Sequence, residues 1–131
     1  MKLPIFQVDA FTDHIFGGNP AAVCPLDNWL DDKTMQQLAL ENNLSETAFF
    51  VSTKNGYELR WFTPEVEVDL CGHATLATAH VLFEHLDYKE DEIHFHTKSG
   101  ELIVSKEGDR LMMNFPSVEL IKVEPPEVLF Q

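Results

Sequence analysis

The chain has little cysteine, little basic charge and no long apolar run, and each shortage narrows the class of protein. Nine Lys and Arg stand against 22 Asp and Glu, which gives a formal net charge of −13. Such a surface repels phosphates, so no nucleic-acid partner is expected. No stretch approaches the ~20 apolar residues that span a bilayer, and residues 1–5 lack a signal-peptide pattern. The composition predicts a cytoplasmic protein without a membrane partner.

The two cysteines, Cys24 and Cys71, are too few for a disulfide scaffold, and the default expectation for each is a buried thiol. Residues that build a core are abundant. The chain is 44% hydrophobic and has ten Phe among its 131 residues. This composition suits one folded domain and argues against disorder.

Alternating or β-rich segments and turn signals predict seven strands. Pro25 is expected to end the second strand, and Asn55-Gly56 favours a hairpin because this pair tolerates positive φ. Asp31 or Asp32 can cap a helix that runs to about Asn43. The predicted strands cover residues 3–11, 21–24, 47–52, 57–63, 92–97, 101–106 and 110–115.

Residues 71–86 predict a second helix, which is built of small and apolar residues on nearly all sides as far as Phe83. A helix without a charged face is buried on most sides. The first helix instead offers one apolar face, formed by Met35, Leu38 and Ala39. We therefore expect an α+β fold: a curved, mostly antiparallel sheet or barrel wrapped around a buried central helix, with the other helix outside.

The start of the second helix, Cys71-Gly72-His73, is a candidate anion site. The first backbone N–H groups of a helix lack intrahelical partners, and the helix dipole favours negative charge there. The same position would lower the pKa of a thiol and make Cys71 nucleophilic or basic. The alternative is that Cys71 is only a small residue at a helix start.

Glu46 and Asn19 are further candidates. Glu46 precedes an apolar strand, and partial burial would raise its pKa toward the range of a general acid or base. The alternative for Glu46 is a solvated turn residue. Asn19 lies in a Gly-Gly-Asn-Pro turn, where its amide could bind a ligand carboxylate or carbonyl, or only stabilise the turn.

Other polar residues give weaker signals. His94 and His96 share one strand face, but no third ligand follows them, so no metal site is predicted. His80 is expected to be a satisfied interior residue of the second helix. Asp69 could be a catalytic carboxylate, although loop and capping roles are more usual. The chain has no Walker loop, GxGxxG, CxxC or HExxH motif.

Five sequence blocks, in this order and spacing, resemble the phenazine-biosynthesis (PhzF-like) family. They are QVDAF at 7–11, GNPAAV at 18–23, NLSETAF at 43–49, RWFTP at 60–64 and DLCGHAT at 69–75. The resemblance implies a diaminopimelate epimerase-like fold of two pseudo-symmetric halves, with the ligand between them. It also implies a biosynthetic isomerase that needs no metal, flavin, nicotinamide or pyridoxal cofactor.

The resemblance also suggests roles for individual residues. Glu46 matches the acid/base residue that moves a proton on a conjugated carboxylate substrate. Gly72 and His73 match residues that hold this substrate, and Asn19 matches the asparagine of the family turn. Cys71 occupies the position of a thiol base in related epimerases and racemases, which keeps an epimerase-like activity open.

Family members are about twice as long as this chain, and their second half supplies the opposing wall of the site. We therefore expect residues 1–115 to form the amino-terminal domain and residues 116–131 to begin a linker toward an absent second half. The expected partners are a small-molecule carboxylate and either that half or a second copy, in a homodimer. A third possibility is a non-catalytic half-domain that binds a ligand or a partner protein.

Overall fold

The computed structural model describes residues 3–8, 20–108 and 110–114. Within these residues the chain forms eight strands and two helices. Parts of the first and last predicted strands, and the expected linker at 116–131, lie outside them. The elements are β1 Phe6–Val8, β2 Ala21–Leu26, α1 Asp32–Asn42, β3 Glu46–Thr53, β4 Gly56–Phe62, β5 Glu67–Val68, α2 Gly72–Glu84, β6 Glu92–Thr97, β7 Gly100–Glu107 and β8 Arg110–Asn114.

All eight strands belong to one sheet with the order β1-β2-β3-β4-β6-β7-β8, and β5 lies beside β4. The pairs β2–β3 and β4–β6 are parallel, and the other pairs are antiparallel. Helix α2 contacts β1 and β2 near one end of this order and β8 at the other. The sheet must therefore curl around α2, as the sequence predicts.

The two parallel pairs explain why the helices lie on opposite faces of the sheet. Helix α1 connects β2 to β3, and α2 lies in the connection from β4 to β6. Such crossovers are right-handed in nearly all proteins. Both crossovers step in the same direction along the sheet, but β3 and β4 are antiparallel. Reversing the strand direction while keeping the step places the second helix on the other face.

Helix α2 forms the centre of the larger core. Alternate residues of the strands point at it, so Ala48 and Phe50 of β3 and Leu59 and Trp61 of β4 pack on this inner side. The small side chains of α2 let the sheet approach closely. Most of the helix is buried, in agreement with its apolar sequence: Ala74, Thr75, Leu76, Ala77, Thr78, Ala79, Val81 and Leu82.

Helix α1 covers a smaller cluster on the outer face of the sheet. Met35 and Ala39 are fully buried there against Cys24, Phe49 and Phe62, and Leu38 packs at the edge. The N-cap is Asp31, whose carboxylate accepts the Thr34 backbone N–H at 3.3 Å. The helix ends at Asn43, which adopts the left-handed conformation with φ 53°. The predicted helix and both of its ends are confirmed.

Three local features differ from the expectations. Strand β2 continues through Pro25 to Leu26; β1 pairs with it only as far as Val23, so no ladder bond on that side needs the missing N–H. The hairpin forms, but Asn55 does not take positive φ. Instead Gly56 has φ 140°, and a Cβ there would clash with the His94 carbonyl oxygen.

The third difference is strand β5, which the sequence did not predict. It has only two residues, and a pair of residues carries no periodicity. Helices α1 and α2 have 11 and 13 residues. Among the described residues, no helix combines the length and apolar character needed to cross a membrane.

Candidate active site

The N-terminus of α2 opens toward the start of β3. Cys71 is the N-cap residue in extended conformation, and its side chain makes no capping hydrogen bond. The first turn of the helix contains no acidic residue. The Cys71 carbonyl, by contrast, accepts both the backbone N–H and the hydroxyl of Thr75, at 3.1 and 2.7 Å. The helix start is thus fixed by its backbone, which leaves its positive end for an anion.

Glu46 is brought to this helix start by the position of β3. As the first residue of β3, it is paired in register with Ala21 of β2. Its side chain is only 17% exposed. The large burial of Glu46 agrees with its predicted place between a helix end and an apolar strand.

His73 joins Glu46 and Cys71 into one cluster. The Nε2 atom of His73 lies 2.5 Å from Oε1 of Glu46, and the two groups form an ion pair. The Nδ1 atom of the same ring lies 3.8 Å from Sγ of Cys71. One atom from each of the three groups lies within 4.8 Å of the other two, so thiol, imidazole and carboxylate form a compact group, which we call the Cys71–His73–Glu46 cluster.

The cluster favours a charged imidazole. Burial lowers the pKa of His73, but the Cys71 sulfur and the Glu46 carboxylate outweigh that effect and raise it to about 10. At neutral pH the cluster therefore holds an imidazolium beside the open N-terminus of α2. The carboxylate of Glu46 balances that charge, so the free N–H groups of the helix start are what can bind an anionic group in a protein of net negative charge.

The same three residues offer metal-ligand atoms that lie within 4.8 Å of one another. The Nε2 atom of His73 and Oε1 of Glu46 are 2.5 Å apart, which is the distance of an ion pair, so a metal ion bound by both groups would have to separate them.

Four of the sequence-predicted site residues meet here: Glu46, Cys71, Gly72 and His73. Gly72 is the first residue of α2 and lies in sequence between Cys71 and His73. Asn19 lies outside the described residues. The direct contact of His73 with Glu46 was not predicted, because no local pattern reports a contact across 27 positions in the chain.

The remaining candidates lie elsewhere. Asp69 is exposed, and its backbone carbonyl accepts the Ser99 hydroxyl at 2.7 Å. His94 contacts Glu101 at the surface, and His96 approaches the Asn55 carbonyl. His80 lies toward the far end of α2, where it packs edge-on against the ring of His85.

Comparisons with known proteins agree on one family. The sequence model of a family described as phenazine biosynthesis-like protein matches residues 8–129. An uncharacterized isomerase of Pseudomonas aeruginosa is 65% identical over 117 residues, which cover 89% of this chain and 45% of that protein. The matched part of the chain thus spans less than half the length of that relative.

Solved structures show the same relationship. A PhzF-family phenazine biosynthesis protein of Enterococcus faecalis superposes with a TM-score of 0.83 at 51% identity, covering 95% of this chain and 49% of that one. A predicted epimerase of P. aeruginosa has a TM-score of 0.67 at 28% identity, covering 86% and 42%. The described half-barrel has the diaminopimelate epimerase-like fold.

Proposed function

Because the chain belongs to the phenazine biosynthesis-like family of isomerases, we propose that it carries the acid/base half of an isomerase site. In this proposal Glu46 moves a proton on a small carboxylate substrate. The contact that supports it most directly is that of the Glu46 carboxylate with the His73 imidazolium, 2.5 Å apart at the open N-terminus of α2. A carboxylate next to a helix start that can bind an anion is placed to exchange a proton with the bound molecule.

The geometry suggests how the chain would hold and convert its substrate. The substrate carboxylate would bind the first N–H groups of α2, where Gly72 presents no side chain that blocks its approach. Glu46 would then take a proton from one carbon, and the C–H electron pair would pass into the conjugated system of the substrate. The protonated Glu46 would return the proton to another carbon. No cofactor is needed, because the substrate carries the electron pair.

Solvent-deuterium incorporation by the complete protein tests this mechanism. The protein would be incubated in D2O with a panel of small conjugated cyclohexadiene carboxylates, and products would be followed by NMR. We expect Glu46→Gln to abolish incorporation, while Glu65→Gln, at an exposed position in the loop after β4, retains it. Equal incorporation by Glu46→Gln and the unaltered protein would refute the role of Glu46.

Cys71 supports a second candidate, an epimerase or racemase that uses two thiol bases. Cys71 is half-buried at the start of α2 and adjoins the His73 ring. The chain has one other cysteine, Cys24, which is fully buried in the outer cluster and has a pKa raised by burial to about 11. The second thiol would therefore come from a different part of the complete protein. Full activity of Cys71→Ala would reject this candidate.

The remaining proposal concerns the wall that faces the cluster. We propose that either the remaining half of the protein or a second copy of this chain covers it, since the matched residues make up only 45% of a relative. Light scattering on this chain alone distinguishes the two sources. A stable homodimer would favour self-pairing. A strict monomer that binds none of the carboxylates would reject both self-pairing and a free-standing binding module.

A further inference from the structure

The cluster depends on a short connection between β4 and α2. Strand β5 pairs with β4 through only two residues, with Val68 opposite Trp61 and Glu67 opposite Phe62. Two residues, Asp69 and Leu70, then lead directly to Cys71. A ladder of two residues contributes little pairing energy, so other contacts must fix where Cys71 lies.

Arg60 supplies the strongest of these contacts. Its Nε and Nη2 atoms each lie 2.8 Å from a carboxylate oxygen of Glu67, so the ion pair is bidentate. Both side chains are largely buried, at 18% and 17% exposure. Bidentate, partly buried pairs are directional and far stronger than exposed ion pairs.

Arg60 is itself held from several sides. Its Nη1 atom lies 3.0 Å from Asp32 at the start of α1. Its guanidinium lies 5.5 Å from the ring centroids of both Trp29 and Phe62. The ion pair lowers the pKa of Glu67 to about 2 and raises that of Arg60, so both groups are charged at any physiological pH.

The turn between β6 and β7 completes the attachment. Lys98 Nζ lies 2.8 Å from Glu67, and the Ser99 hydroxyl donates to the Asp69 carbonyl at 2.7 Å. Lys98 is 55% exposed, so its ion pair is screened by solvent and weaker than that of Arg60. Glu67 is thus contacted by two elements, β4 through Arg60 and the β6–β7 turn through Lys98, at the start of the chain segment that enters the site.

We propose that Arg60 is a positioning residue for the Cys71–His73–Glu46 cluster. It acts from the outer face of the sheet and touches none of the three side chains. By fixing Glu67, it fixes the path of β5, and thereby the place where α2 begins and His73 meets Glu46. Lysine is a poor substitute because its ammonium is a point charge that cannot form the bidentate contact.

The test measures the state of His73 and needs no substrate. This inference rests on the proposed function only in taking the cluster as the site. The titration of His73 can therefore refute the role of Arg60 without refuting the isomerase proposal, and loss of the isomerase proposal would not refute the role of Arg60. Histidine-labelled complete protein would be titrated by NMR as the unaltered form and as the Arg60→Gln, Arg60→Lys and Glu67→Gln variants. Lys106→Gln is the control, since it removes an ion pair with Glu84 at the opposite end of α2.

We expect Arg60→Gln and Glu67→Gln to move the His73 titration back toward its ordinary range, because the ring loses its contacts with Glu46 and Cys71. At pH 8 the ratio of charged to neutral His73 should fall at least about threefold. Arg60→Lys should restore part of that loss, and Lys106→Gln should change nothing.

The proposal is overturned if His73 titrates identically in Arg60→Gln and the unaltered protein. It is also overturned if Lys106→Gln shifts the His73 titration as much as Arg60→Gln does, because the shift would then come from destabilisation of the whole fold and not from the contact of Arg60 with Glu67. If Arg60→Gln does not fold, Glu67→Gln removes the same ion pair from its other side, and Arg60→Lys keeps the positive charge. An unchanged His73 titration in Glu67→Gln, or an equal shift in Lys106→Gln, would then overturn the proposal.

Discussion

The two helices begin in different ways, and the difference separates a helix that serves stability from one that serves a site. Helix α1 has an aspartate cap, Asp31, and an acidic first turn, both of which stabilise a helix start. Helix α2 has Cys71 at the same position, without a side-chain cap or an acidic first turn. The start of α2 therefore lacks the side-chain contacts that stabilise the start of α1, and no side-chain cap or acidic residue of its first turn occupies its positive end.

The two cysteines show the same contrast. Cys24 lies beneath α1 among apolar side chains, and burial raises the pKa of its thiol to about 11. Cys71 lies at the start of α2, partly exposed and 3.8 Å from the His73 ring. Cysteine is therefore a core residue on the outer face of the sheet, as Cys24, and a member of a polar cluster on the inner face, as Cys71.

Truncation of the two cores should show the largest effects. Leu76→Ala in α2 is expected to cost about 3–4 kcal/mol, because Leu76 is fully buried and strands surround it on several sides. Met35→Ala in α1 should cost about 2–3 kcal/mol, because the cluster beneath α1 is small and can collapse toward solvent. Urea unfolding measures both variants. A larger loss for Met35→Ala would contradict the view that α2 organises the main core.

The next largest effect should be the difference between the alkylation rates of the two cysteines. In the native protein at neutral pH, iodoacetamide should modify Cys71 about a hundredfold faster than Cys24, because burial suppresses the thiolate and blocks access to Cys24. Peptide mass mapping after timed quenching measures both rates. The same reaction in denaturant is the control and should remove the difference. Equal native rates would mean that the outer cluster opens as readily as the site.

Much of the fold follows from local patterns in the sequence. The start of α1 at Asp31 and its end at Asn43 carry the side chains that suit each end, so both were predictable. The burial of α2 follows from its lack of a charged face. Strand β5 was not predictable, because its two residues are held by the bidentate contact of Glu67 with Arg60 rather than by a periodic sequence.

The site was predictable residue by residue but not as an arrangement. Glu46 lies at a boundary between a turn and an apolar strand, and its burial follows from that boundary. Its contact with His73 follows from topology, because β3 and β4 are antiparallel and the end of β4, which leads to α2, lies beside the start of β3. Pro25 gives the same lesson: whether it ends a strand depends on how far the neighbouring strand extends.

The charge on His73 should make stability depend on pH. Its pKa is raised in the folded protein to about 10 from the ordinary 6.5, so its contribution is complete below 6.5 and is lost as the pH rises through 10. The expected loss is at least about 1–2 kcal/mol, since a shift of one pKa unit corresponds to about 1.4 kcal/mol. Urea unfolding at pH 6, 8 and 10 would compare the protein with His73→Gln.

The quantity to follow is the difference in free energy of unfolding between the protein and His73→Gln. Tyrosines and Cys24 also titrate at high pH, but they are present in both proteins, so their effects cancel in this difference. It should shrink as the pH rises from 6 to 10. A constant difference over this range would show that folding does not raise the pKa of His73. The ring would then not be held in its charged form at neutral pH.

The smallest effect should come from the helix starts themselves. Asp31→Ala should destabilise the protein by about 1 kcal/mol, because the Thr34 N–H loses its acceptor and α1 its cap. Cys71→Ala should cost less, about 0.5 kcal/mol, because the Cys71 side chain makes no capping hydrogen bond and the backbone contacts with Thr75 remain. Thermal unfolding resolves differences of this size. If Cys71→Ala proved the more damaging variant, the thiol would have a structural role, and the open start of α2 could no longer be attributed to the site.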